Sequence, residues 1–269
     1  MRSRSATGIA LFATLLLAPC LAQEQEASPL QVLLTQLQAN LVAYLTTVPS
    51  FFCDEHVDSV VEQAGAGKIS TATYSVFRLK RTVEGHSTKL VESREIKTVN
   101  KKAAQGEDIT GPAIFRGAFS NGAAIVSLEL QPCFDYERAP SARIDGVDAI
   151  VLKYTKISDA SLNRNCPEIL DGRAYIDPRD LHLMRVEART PNHEIMRGLL
   201  GLWTWSIDYA PVVFDRKTFW MPKTIESRAV PNDRRTAWSF VAKYSNYHKL
   251  TVTSHIITDL GGNPEPPPQ

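Results

Sequence analysis

Two carboxylates one residue apart, in the run Cys133-Phe134-Asp135-Tyr136-Glu137, are the first place in this sequence to look for chemistry. On a strand, Asp135 and Glu137 would share a face about 6.6 Å apart, a separation that paired acids in glycoside hydrolases also use. No third element of a sugar site accompanies them, so a polar strand face pairing with Arg138, Arg143 or Lys153 is the preferred reading. Asp54-Glu55-His56 offers an acid-base trio, but adjacent strand residues point to opposite faces and cannot converge by themselves. The histidines, at 56, 86, 182, 193, 248 and 255, show no metal-ligand spacing. Ser120, in Gly117-Ala118-Phe119-Ser120-Asn121-Gly122, misses a nucleophile elbow by one position and reads as a turn serine. No phosphate-cradling loop and no dinucleotide fingerprint occurs, so no cofactor is implied.

An aromatic stripe is the remaining candidate. Trp203, Trp205 and Tyr209 alternate along one strand, Trp238 and Phe240 along another, and Phe134, Tyr136 and Tyr154 lie on an earlier pair. Such stripes are usually core, yet indole and phenol groups also suit a pocket wall because their polar atoms need partners. These eight residues are the candidate ligand-binding set.

The elements that would position them are strands. From Cys133 to Arg189, apolar runs alternate at period two between turn signals. Phe134 and Tyr136 share one face, as do Ile150, Leu152 and Tyr154, and Met184, Val186 and Ala188. Asp145-Gly146 and the Asp177-Pro178-Arg179-Asp180 turn supply reversals, so the piece predicts an antiparallel meander. Before it, Ser28-Pro29-Leu30-Gln31 opens a helix with a capping serine and proline at the first position. Leu30, Leu33, Leu34, Leu37, Leu41, Tyr44, Leu45 and Val48 mark its buried stripe, and Pro49 ends it. Strands are expected near 52–61, 71–81 and 89–100. The last carries charge on both faces and reads as a solvated edge or rim strand. Ala123 to Leu130 reads as a short helix, with a strand as the alternative. After a break in the pattern from Pro191 to Gly201, strands are expected at 203–209, 218–228 and 235–247, with a final one near 250–257.

Length, charge and cysteine bound the setting. In 269 residues, 30 basic and 29 acidic side chains leave a net charge of +1 with no basic block, which gives no footing for nucleic acid or an anionic membrane. Arg2 and Arg4 precede an apolar run from Ile9 to Leu17 and the small-residue site Cys20-Leu21-Ala22, the pattern of an export leader. Cleavage after Ala22 is preferred to acylation of Cys20, because Pro19 sits where a lipidation site wants a small flexible residue. No later stretch is long and apolar enough for a membrane helix. Of the remaining Cys53, Cys133 and Cys166, the last two should meet at one end of the sheet and form a disulfide, with Cys53 the alternative partner.

One long helix followed by many antiparallel strands with a helical interruption, behind a leader, resembles the periplasmic lipoprotein-carrier (LolA-like) half-barrel superfamily. The local match is Gly172-Arg173-Ala174-Tyr175-Ile176-Asp177-Pro178 with Leu183-Met184-Arg185-Val186-Glu187, similar to a hairpin of that superfamily and of its lipid-sensing relatives. Pro49-Ser50-Phe51-Phe52-Cys53 is similar to a segment of exported bacterial proteins. The resemblance implies a mainly β (α+β) fold: a single large curved antiparallel sheet, or half-barrel, covered by an N-terminal helix and a short second helix. Residues 1–22 would be the leader, 23–260 one half-barrel domain, and 261–269 a proline-rich disordered tail. It also implies a non-enzymatic, periplasmic or secreted protein that binds or senses an apolar ligand such as a lipid acyl chain, with an envelope protein as a further partner. The competing readings are an exported hydrolase using Asp135 and Glu137, and a structural envelope module with a filled core.

Overall fold

The computed structural model describes residues 28–84, 87–104, 117–158 and 166–251. The expected leader with Cys20, the expected tail at 261–269, and the histidines at 86 and 255 lie outside these residues. The chain opens on helix α1, Pro29–Thr47, capped as its sequence requires: Gln31 N donates to Ser28 Oγ at 3.2 Å and Pro29 occupies the first helical position. Its leucine stripe, Leu33, Leu34, Leu37 and Leu41, is buried against the sheet.

Eleven strands follow: β1 (Phe51–Gln63), β2 (Gly67–Glu84), β3 (Ser87–Val99), β4 (Lys102–Ala103), then β5 (Phe134–Ile144), β6 (Val147–Lys156), β7 (Asp171–Ile176), β8 (Leu183–Met196), β9 (Leu199–Phe214), β10 (Lys217–Pro231) and β11 (Thr236–Lys249). Between β4 and β5 stand α2, Ala118–Asn121, and two 3-10 turns, Gly122–Val126 and Leu128–Cys133, where the sequence predicts a short helix. All strands join one open sheet in the order β4-β3-β2-β1-β11-β10-β9-β8-β7-β6-β5, antiparallel throughout. Two meanders, β1–β4 and β5–β11, are therefore fused where the first strand pairs with the last. The face under α1 is the inner face. Its central row, Val57, Ala242, Ile225, Ile207, Val186, Ala174 and Leu152, crosses seven strands in register. Every residue of that row is fully buried or nearly so.

Turns follow from local chemistry. Asp145 and Gly146 adopt φ of 46° and 83°, the two positive values that a tight reversal between twisted strands needs. At the expected Asp177 turn, the fully buried carboxylate accepts from Arg179 N at 2.9 Å and from the Arg179 guanidinium. Cys133 and Cys166 form the expected disulfide, 5.5 Å between Cα atoms, and Cys53 is free and buried.

The structure corrects four readings of the sequence. Met184 does not share a face with Val186 and Ala188, because the β7–β8 register slips between Tyr175 and Ile176. The bulge places Leu183 in the main core and turns Met184 to the outer face, against Ala149, Val151 and Tyr175. Pro191 does not break the strand: β8 runs on to Met196 with a register shift between Thr190 and His193 that leaves Pro191 out of the ladder, and Asn192 takes φ of 55° within it. On β3, which has only two-residue β4 beyond it, the charges are not simply solvated, since Glu92 and Arg94 turn inward to make the bonds described below. Finally, β11 ends at Lys249, and Leu250 and Thr251 are not in a strand; the rest of the stretch expected at 250–257 lies outside the described residues.

Gly172 shows how tightly the inner face is packed. A Cβ there would lie 2.0 Å from Glu187 O and 2.2 Å from Tyr154 Oη, because the Tyr154 side chain crosses β7 over the glycine to donate to Glu187 O on β8. Gly172→Ala should destabilise by about 3 kcal/mol or more through overpacking and loss of that bond. Tyr154→Phe should cost only about 1 kcal/mol. Urea unfolding of both variants checks the ranking, and equal midpoints would contradict it.

Candidate functional site

A cavity of about 190 Å³ lies between α1, α2 and the sheet. α1 contributes Leu37, Leu41 and Tyr44 to its wall. The segment from α2 contributes Ala118, Phe119, Ala123 and Val126. The sheet supplies Leu183, Tyr209, Phe219, Trp220 and Pro222, and Asn40, His182, Lys217 and Thr218 are among the polar residues of the lining. The walls are mostly apolar because three elements bring small or apolar side chains to one place, and the alanines leave the space open.

Hydrogen bonds fix each wall. The Glu92 carboxylate accepts from Gly117 N at 2.8 Å, from Phe119 N and Ser120 N at 3.0 Å each, and from Ser120 Oγ at 3.1 Å. One side chain of β3 thus satisfies the start of α2, a helix too short to be stable alone. Ser120, set aside as a turn serine, is one of these donors. Tyr44 Oη donates to Phe119 O at 2.8 Å, tying α1 to α2, and Asn40 Nδ2 donates to Leu181 O at 2.8 Å, tying α1 to the β7–β8 turn. His182 in that turn stacks on Trp220, with ring centroids 5.7 Å apart. Tyr209 Oη is buried without a hydrogen-bond partner among the described residues. Burial pushes the Tyr44 and Tyr209 phenols well above the ordinary tyrosine range, so both hydroxyls stay protonated.

Next to the cavity, the inner face buries a charge. Glu55, fully buried, accepts from Arg94 Nε at 2.8 Å and 3.0 Å and from Tyr244 Oη at 2.8 Å, and the Arg94 guanidinium lies 4.9 Å from the Phe77 ring centroid. Its neighbours Asp54 and His56 point outward, as strand alternation requires. Asp54 accepts from Tyr74 Oη and Asn246 Nδ2, and these bonds hold its carboxyl below the usual range. Desolvation, followed by the nearby Glu55, pushes the Cys53 thiol far up.

The eight sequence-predicted aromatics all lie on the inner face. Tyr136, Tyr154, Gly172, Ala188, Trp205, Ser227, Phe240 and Ser59 form one cross-strand row, and Trp203, Ala229 and Trp238 the next. Their settings differ. Phe134 and Tyr154 are sealed in the core, Tyr136 donates to Ile125 O, and Trp205 and Phe240 are 7% and 8% exposed. Trp203 donates from Nε1 to Ser227 Oγ at 2.8 Å and stacks on His193 at 4.7 Å. Trp238 is half-buried. Tyr209 alone of the set lines the apolar cavity, which lies six residues, or about 20 Å, along β9 from Trp203. Trp220, Phe219 and Phe119 line it too and were not singled out. Their signal was the alternation of Phe219 and Met221 with Trp220 beside an aspartate-led turn.

A second, shallower groove of about 590 Å³ crosses the outer face and is lined mostly by polar side chains, among them Arg173, Glu187, Glu226 and Arg228. Lys153 at its margin pairs with Glu137. Asp135 and Glu137 are both exposed on the outer side of β5. Among the described residues, no three His, Cys, Asp or Glu side chains converge to hold a metal ion, and no helix is long and apolar enough to cross a membrane.

Solved structures are similar to this chain over about four fifths of its length. A lipoprotein-sorting protein domain from Vibrio parahaemolyticus, described as a putative outer-membrane one, matches 82% of this chain and 93% of its own at 12% identity and a TM-score of 0.41. A LolA superfamily protein from Nitrosomonas europaea matches 81% and 94% at 8% identity, with a TM-score of 0.38. A DUF1329 family protein from Desulfovibrio piger matches 82% and 95% at 12% identity, with a TM-score of 0.37. No protein-family model matches the sequence, and no curated protein does.

Two variants separate what frames the cavity from what fills it. Glu92→Ala should destabilise by about 2–4 kcal/mol, because it strands backbone donors of α2. Tyr209→Phe should leave stability unchanged or raise it, since it removes a buried hydroxyl that has no partner. Thermal melts of both variants provide the check.

Proposed function

We propose that this protein is an exported, non-enzymatic binder of a slender apolar chain such as a lipid acyl chain. The cavity between α1, α2 and the β9–β10 hairpin carries the reading. Its volume of about 190 Å³ far exceeds the roughly 10–15 Å³ that one water needs, while its walls offer few polar atoms to hold ordered water. Apolar surface of this kind is stabilised by an apolar occupant, and the limited volume favours a single chain over a bulky ring system. Within the predicted aromatic set, Tyr209 meets the occupant first; Trp205, Phe240, Trp203, Trp238, Tyr136, Tyr154 and Phe134 would back the same face further along. An envelope protein that delivers or receives the chain is the partner this reading implies.

Trp220 makes the binding measurable. A brominated fatty acid should quench tryptophan fluorescence saturably, Trp220→Phe should remove most of that quenching, and Trp203→Phe or Trp238→Phe should leave it largely intact. Quenching that never saturates would sink the binding reading. Dependence on Trp203 and Trp238 instead would move the site to the other end of the inner face.

Export is supported by the leader pattern and by the Cys133–Cys166 disulfide, which persists in oxidising compartments. N-terminal sequencing of protein recovered from the cell envelope should begin at Gln23. A start at acylated Cys20 would make the protein lipid-anchored.

A further inference from the structure

We infer that the cavity takes a single-chain amphiphile with an anionic head, the head group resting at Lys217; this deepens the binding reading above and depends on it. Lys217 is the lysine of the lining, and among the described residues no aspartate or glutamate shares the lining with it. Its ammonium lies 5.5 Å from the centroid of the Phe219 ring, itself a wall of the cavity, so a cation–π contact holds the charge against the apolar surface.

The nearby acids are engaged elsewhere. Asp215, at the turn just before Lys217, pairs with Lys249, and Asp180 faces His182, with Nδ1 and Oδ1 3.3 Å apart. Among the described residues Lys217 makes no ion pair. An exposed cation beside an apolar cavity with no carboxylate in its lining is complementary to a molecule whose tail is apolar and whose end carries anionic oxygens. A neutral head gains nothing from that charge and a cationic head is repelled by it. Carboxylate and phosphate monoester heads share the required chemistry.

Competition against the quenching probe tests this, using laurate, dodecyl phosphate, dodecanol and dodecyltrimethylammonium below their micelle concentrations. The wild-type protein should bind at least one of the two anions about fivefold more tightly than the alcohol, and the cation more weakly still. That advantage should shrink with added salt. Preference for laurate alone assigns a fatty-acid source, and preference for dodecyl phosphate alone a phosphorylated one. Lys217→Gln should abolish the anion advantage and Lys217→Glu should invert it, each read as the ratio of anion to dodecanol affinity within the same variant. Equal displacement by anions and alcohol in the wild type overturns the inference but leaves the apolar site standing, as does a Lys217→Glu variant that loses alcohol and anion alike. No displacement by any of the four overturns the binding reading itself.

Discussion

The β1–β11 ladder is the interaction on which the rest of the structure depends. Two meanders of local hairpins become one sheet only because the first strand pairs with the last, from Phe51 opposite Lys249 to Gln63 opposite Thr236. That closure joins residues almost the full chain apart and must overcome the loop entropy of everything between them. Glu55 reinforces it from within: this β1 carboxylate binds Tyr244 on β11 and Arg94 on β3, so one buried side chain spans the junction and reaches across β2. A buried pair is weak evidence of net stability, since desolvation offsets much of its attraction. Removing one partner leaves an unpaired buried charge, however, at a cost of about 3–5 kcal/mol. A pairing of β1 with any other strand would carry that penalty, so the cluster favours this register over its competitors.

The cavity follows from how that sheet is covered. Eleven strands present far more inner surface than one nineteen-residue helix can bury, and a four-residue helix with two 3-10 turns has to cover the remainder. The covering segment is held at its ends and edges instead of by a stripe of its own: Glu92 grips the start of α2, Tyr44 binds Phe119 O, and Tyr136 binds Ile125 O. Polar tethers fix position without filling volume. Where they place Ala118 and Ala123 opposite Phe219 and Trp220, the surfaces do not close and space remains.

Much of this was legible in the sequence, and what was not has a common cause. Alternation and turn residues predict the strands of both meanders, and Ser28, Pro29 and the leucine stripe predict α1, because those signals are local. The disulfide was legible because two hairpins in sequence fix which ends meet. Bulges were not. One slip in the β7–β8 pairing sends Met184 outward and another in the β8–β9 pairing carries β8 past Pro191, yet neither leaves a mark in composition, since the register depends on the partner strand. The site suffered the same way: the Trp203 and Trp238 stripe was visible as pattern, whereas Trp220 and Lys217 gain their setting from α1 and α2, which lie far from them in sequence. Glu55 was read only as part of an acid-base trio that cannot converge, although Phe51, Cys53, Glu55 and Val57 form an inner-face alternation into which it fits.

The ionisable groups on the inner face are engaged with one another or held protonated by burial. The Glu92 carboxylate accepts four hydrogen bonds and Glu55 accepts from both Arg94 and Tyr244, so both are engaged in fixing the walls. Tyr44, Tyr209, Tyr154 and Tyr244 are kept protonated by burial, and the Cys53 thiol is pushed up by the same desolvation, far from the thiolate a nucleophile requires. A general acid or base works best when its affinity for protons lies near the working pH. These groups instead sit well away from it or are committed to fixing the walls. What they leave in the cavity, among the described residues, is shape, apolar area and the cation at Lys217, which suit the binding proposed above.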